Sequence, residues 1–146
     1  MRKLFFYSIA AFTLAACINF SACKKEETPT LAVRLTGKSW KLSKINTGGV
    51  DKALNDCQKD DKLTFSAAGD FIWNIGTQKC SGENGNRTGN WTADEVTVTI
   101  NVSFTNAGSD KFRVTTCDSK TLVYSYEIKP TAGVTQTETL TWLIIE

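Results

Sequence analysis

The residues of this chain able to do chemistry are few, and their spacing limits what that chemistry can be. There is no histidine among the 146 residues. Neither a Ser-His nor a Cys-His nucleophile can then be assembled, and the commonest metal ligand is missing. Five cysteines stand at positions 17, 23, 57, 80 and 117 with no Cys-x-x-Cys pair, which argues against a zinc site. No metal and no cofactor is expected. Asp60 and Asp61 form an adjacent carboxylate pair. Neighbours along a strand point to opposite faces, so the two are read as solvated residues ahead of a strand rather than as an acid/base pair. Cys117 has no visible partner base and reads as a small buried residue at a strand end. These features point away from an enzyme.

What remains is a set of rings. Trp40, Phe65, Phe71, Trp73, Trp91, Phe104, Phe112, Tyr124, Tyr126 and Trp142 fall mostly on the apolar phase of alternating runs. Such rings either fill a small barrel outright or line a cavity for one small apolar molecule. Trp73, Tyr124 and Tyr126 are the candidate ligand-binding residues, because tyrosine hydroxyls supply the sparse polar contacts that apolar pockets use.

The elements that must position these rings are read from the period of the chain. From Cys57 to Cys80, two alternating runs, Leu63-Thr64-Phe65 and Phe71-Ile72-Trp73-Asn74-Ile75, flank a small-residue turn with a cysteine outside each end. This is a β-hairpin stapled by a Cys57–Cys80 disulfide, which leaves Cys117 over. Ahead of it, a short helix at Leu31 to Leu35 caps the domain and covers the apolar end of the last strand. Ser39 to Ile45 is the first strand, and Val50 to Asp56 holds a helical turn. Beyond the hairpin, Arg87 to Thr92 gives a fourth strand, with Gly89 at a bulge or a close approach. Val96 to Phe104 alternates without a miss and gives a fifth. Strands follow around Phe112 and Val114, over Leu122 to Ile128, and over Thr135 to Ile145. Eight short strands with no long helix give an all-β, antiparallel fold, and closure into a barrel removes the exposed edges of an open sheet.

The chain begins with Met1-Arg2-Lys3 and an uncharged run from Leu4 to Ala22, the pattern of an export signal. Leu14-Ala15-Ala16-Cys17 and Phe20-Ser21-Ala22-Cys23 both resemble the lipobox of bacterial lipoproteins, which implies that the cysteine is acylated, with chains such as palmitate, and becomes the first mature residue. Cleavage before Cys23 leaves a polar spacer, Lys-Lys-Glu-Glu-Thr-Pro-Thr, whereas cleavage before Cys17 leaves Ile18 and Phe20 in the tether. Cys23 is therefore the expected lipidation site, with Cys17 the alternative. The organisation is a signal peptide over 1–22, a tether over 23–30 and a single domain over 31–146. Losing Arg2 and Lys3 takes the 17 basic residues to 15 against 15 acidic ones. With no net charge and no basic run, nucleic acid is not an expected partner.

Leu35-Thr36-Gly37-Lys38-Ser39-Trp40-Lys41-Leu42, Cys57, Asp60-Asp61, Leu63-Thr64-Phe65, Gly69-Asp70-Phe71, Cys80, Gly89-Asn90-Trp91 and Thr121-Leu122-Val123 together resemble the lipocalin-like domain of small Gram-negative envelope lipoproteins. The resemblance implies an eight-stranded antiparallel up-and-down barrel, lipid-anchored in the cell envelope at the outer membrane. It also implies a pocket for a small hydrophobic ligand. The chain departs from lipocalins in two places: Gly37 and Trp40 are separated by two residues instead of the one of Gly-x-Trp, and no arginine lies in Thr131 to Glu146 to cover that tryptophan. The expected function is that of a membrane-tethered binding module. The alternative is an envelope protein-interaction or inhibitor module with a filled barrel, acting through a loop such as Gly76 to Arg87.

Overall fold

The computed structural model describes residues 28–83, 85–129 and 133–145. The expected signal peptide over 1–22, the candidate lipidation residues Cys17 and Cys23 and most of the expected tether lie outside the described residues.

Among the described residues nine strands follow one short α-helix in chain order: α1 (Leu31–Leu35), β1 (Ser39–Thr47), β2 (Val50–Lys52), β3 (Lys62–Phe65), β4 (Asp70–Asn74), β5 (Arg87–Asp94), β6 (Thr99–Phe104), β7 (Ser109–Cys117), β8 (Thr121–Ile128) and β9 (Gln136–Ile144). Each strand from β3 to β9 pairs antiparallel with its sequence neighbour, and β9 pairs back onto β1. The result is a closed eight-stranded up-and-down barrel. β2 stands outside the count: one edge of β1 is shared, with Ser39 to Lys41 paired to β3 and Ile45 to Thr47 paired to β2. Closure leaves no long strand edge available to another chain.

Three local expectations are corrected. Val50 to Lys52 is a strand rather than a helical turn, because Gly48 and Gly49 both adopt positive φ (59° and 86°) and make the two-residue hairpin turn that such backbone favours. A 3₁₀ turn over Asp56–Gln58 follows. The long alternating run also starts later than its period suggests. The Asp94 carboxylate accepts hydrogen bonds from Val96 N (2.9 Å) and Thr97 N (3.1 Å), a side-chain turn that competes with the strand ladder. Val98 takes φ 50°, so β6 begins at Thr99. Val96 is 93% exposed, while Ile100 and Val102 point inward as their phase requires. Lastly, α1 packs mainly against β5 and β7 rather than over β9, and Leu143 is left exposed.

That helix closes one end of the barrel. Leu31 and Leu35 are fully buried. The helix start is held by Glu95, whose carboxylate accepts from Leu31 N (2.8 Å) and Ala32 N (3.3 Å), an acidic group at the end where free N–H groups favour it. Trp40 donates from Nε1 to the Leu35 carbonyl (3.4 Å), and Arg34 donates to the Cys117 carbonyl (3.0 Å). The Lys38 ammonium lies 5.3 Å from the centre of the Trp40 ring, so a cation covers this tryptophan from β1's own approach and not from the last strand.

The predicted disulfide is present. Cys57, in the 3₁₀ turn before β3, joins Cys80, in the loop after β4, with Cα atoms 5.2 Å apart. Gly89 marks a close approach: a Cβ there would run into the Ser103 carbonyl oxygen of β6. The interior is a continuous cluster from Leu31 through Trp40, Phe65, Phe71 and Phe112 to Trp142.

Candidate binding site

The end of the barrel opposite α1 collects inward-facing residues of a different kind. Side chains alternate across a strand, so a residue two positions from a core residue shares its face. Asp61 is in phase with Leu63, Arg87 with Gly89 and Trp91, Asp110 with Phe112, Tyr126 with Tyr124, and Glu138 with Leu140 and Trp142. The apolar phase of five strands thus ends, at one end of the barrel, in four charged residues and a tyrosine.

Beneath them lies an aromatic floor. Trp73 of β4 meets the edge of Trp142 of β9, with centroids 5.3 Å apart. Trp142 stacks on Tyr124 at 6.2 Å, Tyr124 on Phe112 at 4.5 Å, and Tyr126 lies 5.6 Å from Phe112 and 6.4 Å from Tyr124. Of the three ring residues expected at a site, Tyr124 and Tyr126 are direct neighbours, and Trp73 joins them through Trp142.

The polar groups on this floor are unevenly satisfied. Trp73 Nε1 donates to Asp61 Oδ2 at 3.0 Å. Tyr126 donates from its hydroxyl to Glu138, which also accepts from Thr47 Oγ1 at 3.3 Å. By contrast Asp61 Oδ1 is buried with no hydrogen-bond partner, and the buried Tyr124 hydroxyl has only Trp142 Nε1 beside it. Buried polar atoms are nearly always paired, so a carboxylate oxygen left bare beside these stacked rings marks the place. Burial raises the Asp61 carboxyl from 3.8 to about 6, aided by the nearby charges of Glu83 and Asp60 and opposed by the Trp73 hydrogen bond and Arg87. Burial likewise pushes the Tyr124 hydroxyl well above its ordinary range, and burial with the Glu138 carboxylate does the same to Tyr126.

Arg87 connects this floor to the outside. Its guanidinium sits 4.9 Å from the centre of the Trp73 ring. The same side chain lines an open concavity of about 460 Å³ with Glu83, Phe104 and Asp110.

Asp61 is the residue that sequence reasoning placed wrongly. It is 2% exposed and not a solvated lead-in to β3; its phase with Leu63 and Phe65 carried the signal. Arg87, Glu138 and Trp142 were likewise not assigned to a site, although each sits on the inward phase. Asp60, as expected of an adjacent residue, points elsewhere and accepts from Thr77 N at 2.8 Å. Cys117 is buried at the α1 end, where burial raises its thiol pKa. Among the described residues no group of three or more potential ligands could hold a metal ion.

The sequence model of the lipocalin-like domain matches residues 35–124, well over half of the chain. Among solved structures, the odorant-binding protein from bovine nasal mucosa is similar at 18% identity with a TM-score of 0.50, covering 84% of this chain and 78% of that one. The bovine odorant binding protein in complex with a selenium containing odorant is similar at 15% identity, TM-score 0.49, with the same 84% and 78% coverage. Among curated proteins no sequence matches. At 18% identity the likeness to the first of these speaks to the fold alone, the same closed antiparallel barrel described above. The family match covers strands β1 to β7 and the start of β8, and on it the chain belongs to the lipocalin-like domain family, whose members are typically binding proteins rather than enzymes.

Proposed function

We propose that the chain is a non-enzymatic binding module, tethered to a membrane of the cell envelope through an acylated Cys23, that holds one small apolar ligand at the open end of its barrel. The observation that carries the binding reading is the buried, unpartnered Asp61 Oδ1 beside the aromatic floor, where the Tyr124 hydroxyl and Trp142 Nε1 meet only each other. A floor of rings gives affinity through apolar contact, and a few convergent polar atoms fix orientation. Tethering is supported by the uncharged run Leu4 to Ala22 and by the small residues leading into Cys23.

The test is a titration with N-phenyl-1-naphthylamine, an apolar fluorescent probe, read by probe enhancement and by quenching of Trp73 and Trp142. Saturable binding at one site, weakened about tenfold by Tyr124→Ala, is expected. Absence of saturable binding to the wild-type protein would refute the reading. The second reading, an envelope interaction or inhibitor module, is favoured by the packed interior, where Phe65, Phe71, Phe112, Tyr124 and Trp142 are all buried. In that case a protein partner is retained by the wild type and lost when the Gly76 to Arg87 segment is shortened, with no probe binding.

A further inference from the structure

We infer that the ligand taken at the open end is an organic cation: an ammonium group on a small apolar or aromatic body, for which the Arg87 guanidinium is the resident stand-in. The inference rests on the binding reading above and goes beyond it by naming the charge of the ligand.

The face of an indole ring attracts a cation, and Trp73 presents its face to the guanidinium of this chain's own Arg87 at 4.9 Å. Arg87 is held there loosely. Among the described residues its one ion pair, to Glu83, is at 4.0 Å, and its side chain is half exposed, the kind of surface pair that contributes little. A ligand can therefore displace it without breaking a strong contact.

The surroundings are those of a cation with more negative charge than Arg87 neutralises. Asp61 and Glu138 stand at the aromatic floor, and Glu83 and Asp110 line the concavity above it. Arg87 is the cation that acts on Asp61, Tyr124 and Tyr126 together. Asp61 uses one oxygen on Trp73 and leaves the other buried and unpartnered, while the Tyr124 hydroxyl has only Trp142 Nε1 beside it. Arg87 reaches the ring face yet makes no hydrogen bond to either atom. A buried carboxylate is costly unless a charged donor meets it. A compact ammonium that replaces the guanidinium against Trp73 can donate to Asp61 Oδ1, with its apolar body in the concavity that Glu83, Phe104 and Asp110 line beside Arg87. A neutral ligand would leave the Asp61 charge uncompensated, and an anionic one would face four carboxylates.

The experiment compares three probes of one shape on the whole exported domain: 2-phenylethylammonium, 2-phenylethanol and 3-phenylpropanoate. Each is titrated at pH 8 by tryptophan fluorescence and calorimetry. The ammonium is expected to bind at least tenfold more tightly than the alcohol, and the carboxylate most weakly. The ammonium-to-alcohol ratio is taken within each protein, so general damage cancels. It should fall towards one in Asp61→Asn and rise several-fold in Arg87→Gln, where the resident cation is gone. Should Asp61→Asn fail to fold, the same ratio in the wild type should fall as pH drops from 8 to 5. An alcohol or carboxylate preferred over the ammonium, or a ratio unchanged by Asp61→Asn and by pH, overturns the inference. Binding of N-phenyl-1-naphthylamine without binding of the ammonium overturns the inference alone, whereas binding of neither removes the reading it rests on.

Discussion

Replacing Asp61 by asparagine should stabilise this protein at neutral pH, by an amount that vanishes in acid. The side chain is 2% exposed. Asparagine keeps its shape and keeps an oxygen to accept from Trp73 Nε1, so the substitution removes charge and little else. Burial raises the carboxyl from 3.8 to about 6, and at 1.36 kcal/mol per pH unit this corresponds to a cost of about 3 kcal/mol for holding Asp61 ionised in the fold. The folded state binds the proton more tightly than the unfolded chain does. Stability from this group is therefore highest below 3.8, falls as pH rises through the interval, and is lowest above 6. Other carboxylates, among them Asp60, Asp94 and Asp118, are held below their ordinary range by hydrogen bonds and lose stability in acid, but they do so equally in both proteins. The assay is urea unfolding followed by tryptophan fluorescence at pH 4, 5, 6 and 7.5. The expected difference between variant and wild type is near zero at pH 4 and about 3 kcal/mol in favour of the variant at pH 7.5. A difference that stays constant across that range, or a wild type more stable at pH 7.5, would show that the Asp61 charge is not confined as the structure has it.

The disulfide and the barrel wall give two further predictions. Changing Cys57 and Cys80 together to serine opens a loop with a sequence separation of 23 and should cost roughly 3 to 4 kcal/mol in the chain-entropy model, read as a lower urea midpoint. An unchanged midpoint would mean that the hairpin needs no staple. Gly89→Ala should destabilise by about 1 to 3 kcal/mol, because its Cβ meets the Ser103 carbonyl, a backbone atom of β6 that cannot rotate away. Gly108→Ala, which meets no atom but sits at φ 62°, is the control for backbone strain alone.

The alternating runs made the barrel legible. Leu63 and Phe65, Phe71 and Trp73, Ile100 and Val102, and Leu140 and Trp142 all fall inward as their period requires, because a slip of one residue would expose every apolar side chain of a strand. The Cys57–Cys80 bridge was legible for the same reason, since two residues flanking one hairpin are brought together by its pairing. The turns were less so. Val96 and Val98 continue a perfect alternation, and only the Asp94 carboxylate, by capturing the next two backbone N–H groups, takes them out of the strand. Local side-chain hydrogen bonds of this kind leave no mark on hydrophobic period.

The candidate site divides along the same line. By itself the sequence determined that histidine-dependent catalysis is absent, that the aromatic rings of each strand share a face, and that Trp73, Tyr124 and Tyr126 point inward. The tertiary structure decided what those rings enclose. Asp61, Arg87, Asp110 and Glu138 were visible only as charged residues on the inward phase of separate strands, and a single strand cannot show whether its tip opens to solvent or to a shared interior. Closure of β9 onto β1 brings the strand tips to one end, while α1 shuts the other. Burial of a carboxylate oxygen without a partner, beside a phenol and an indole that meet only each other, is therefore a property of the closed barrel. It arises from contacts between strands far apart in sequence, and no period within one strand encodes it.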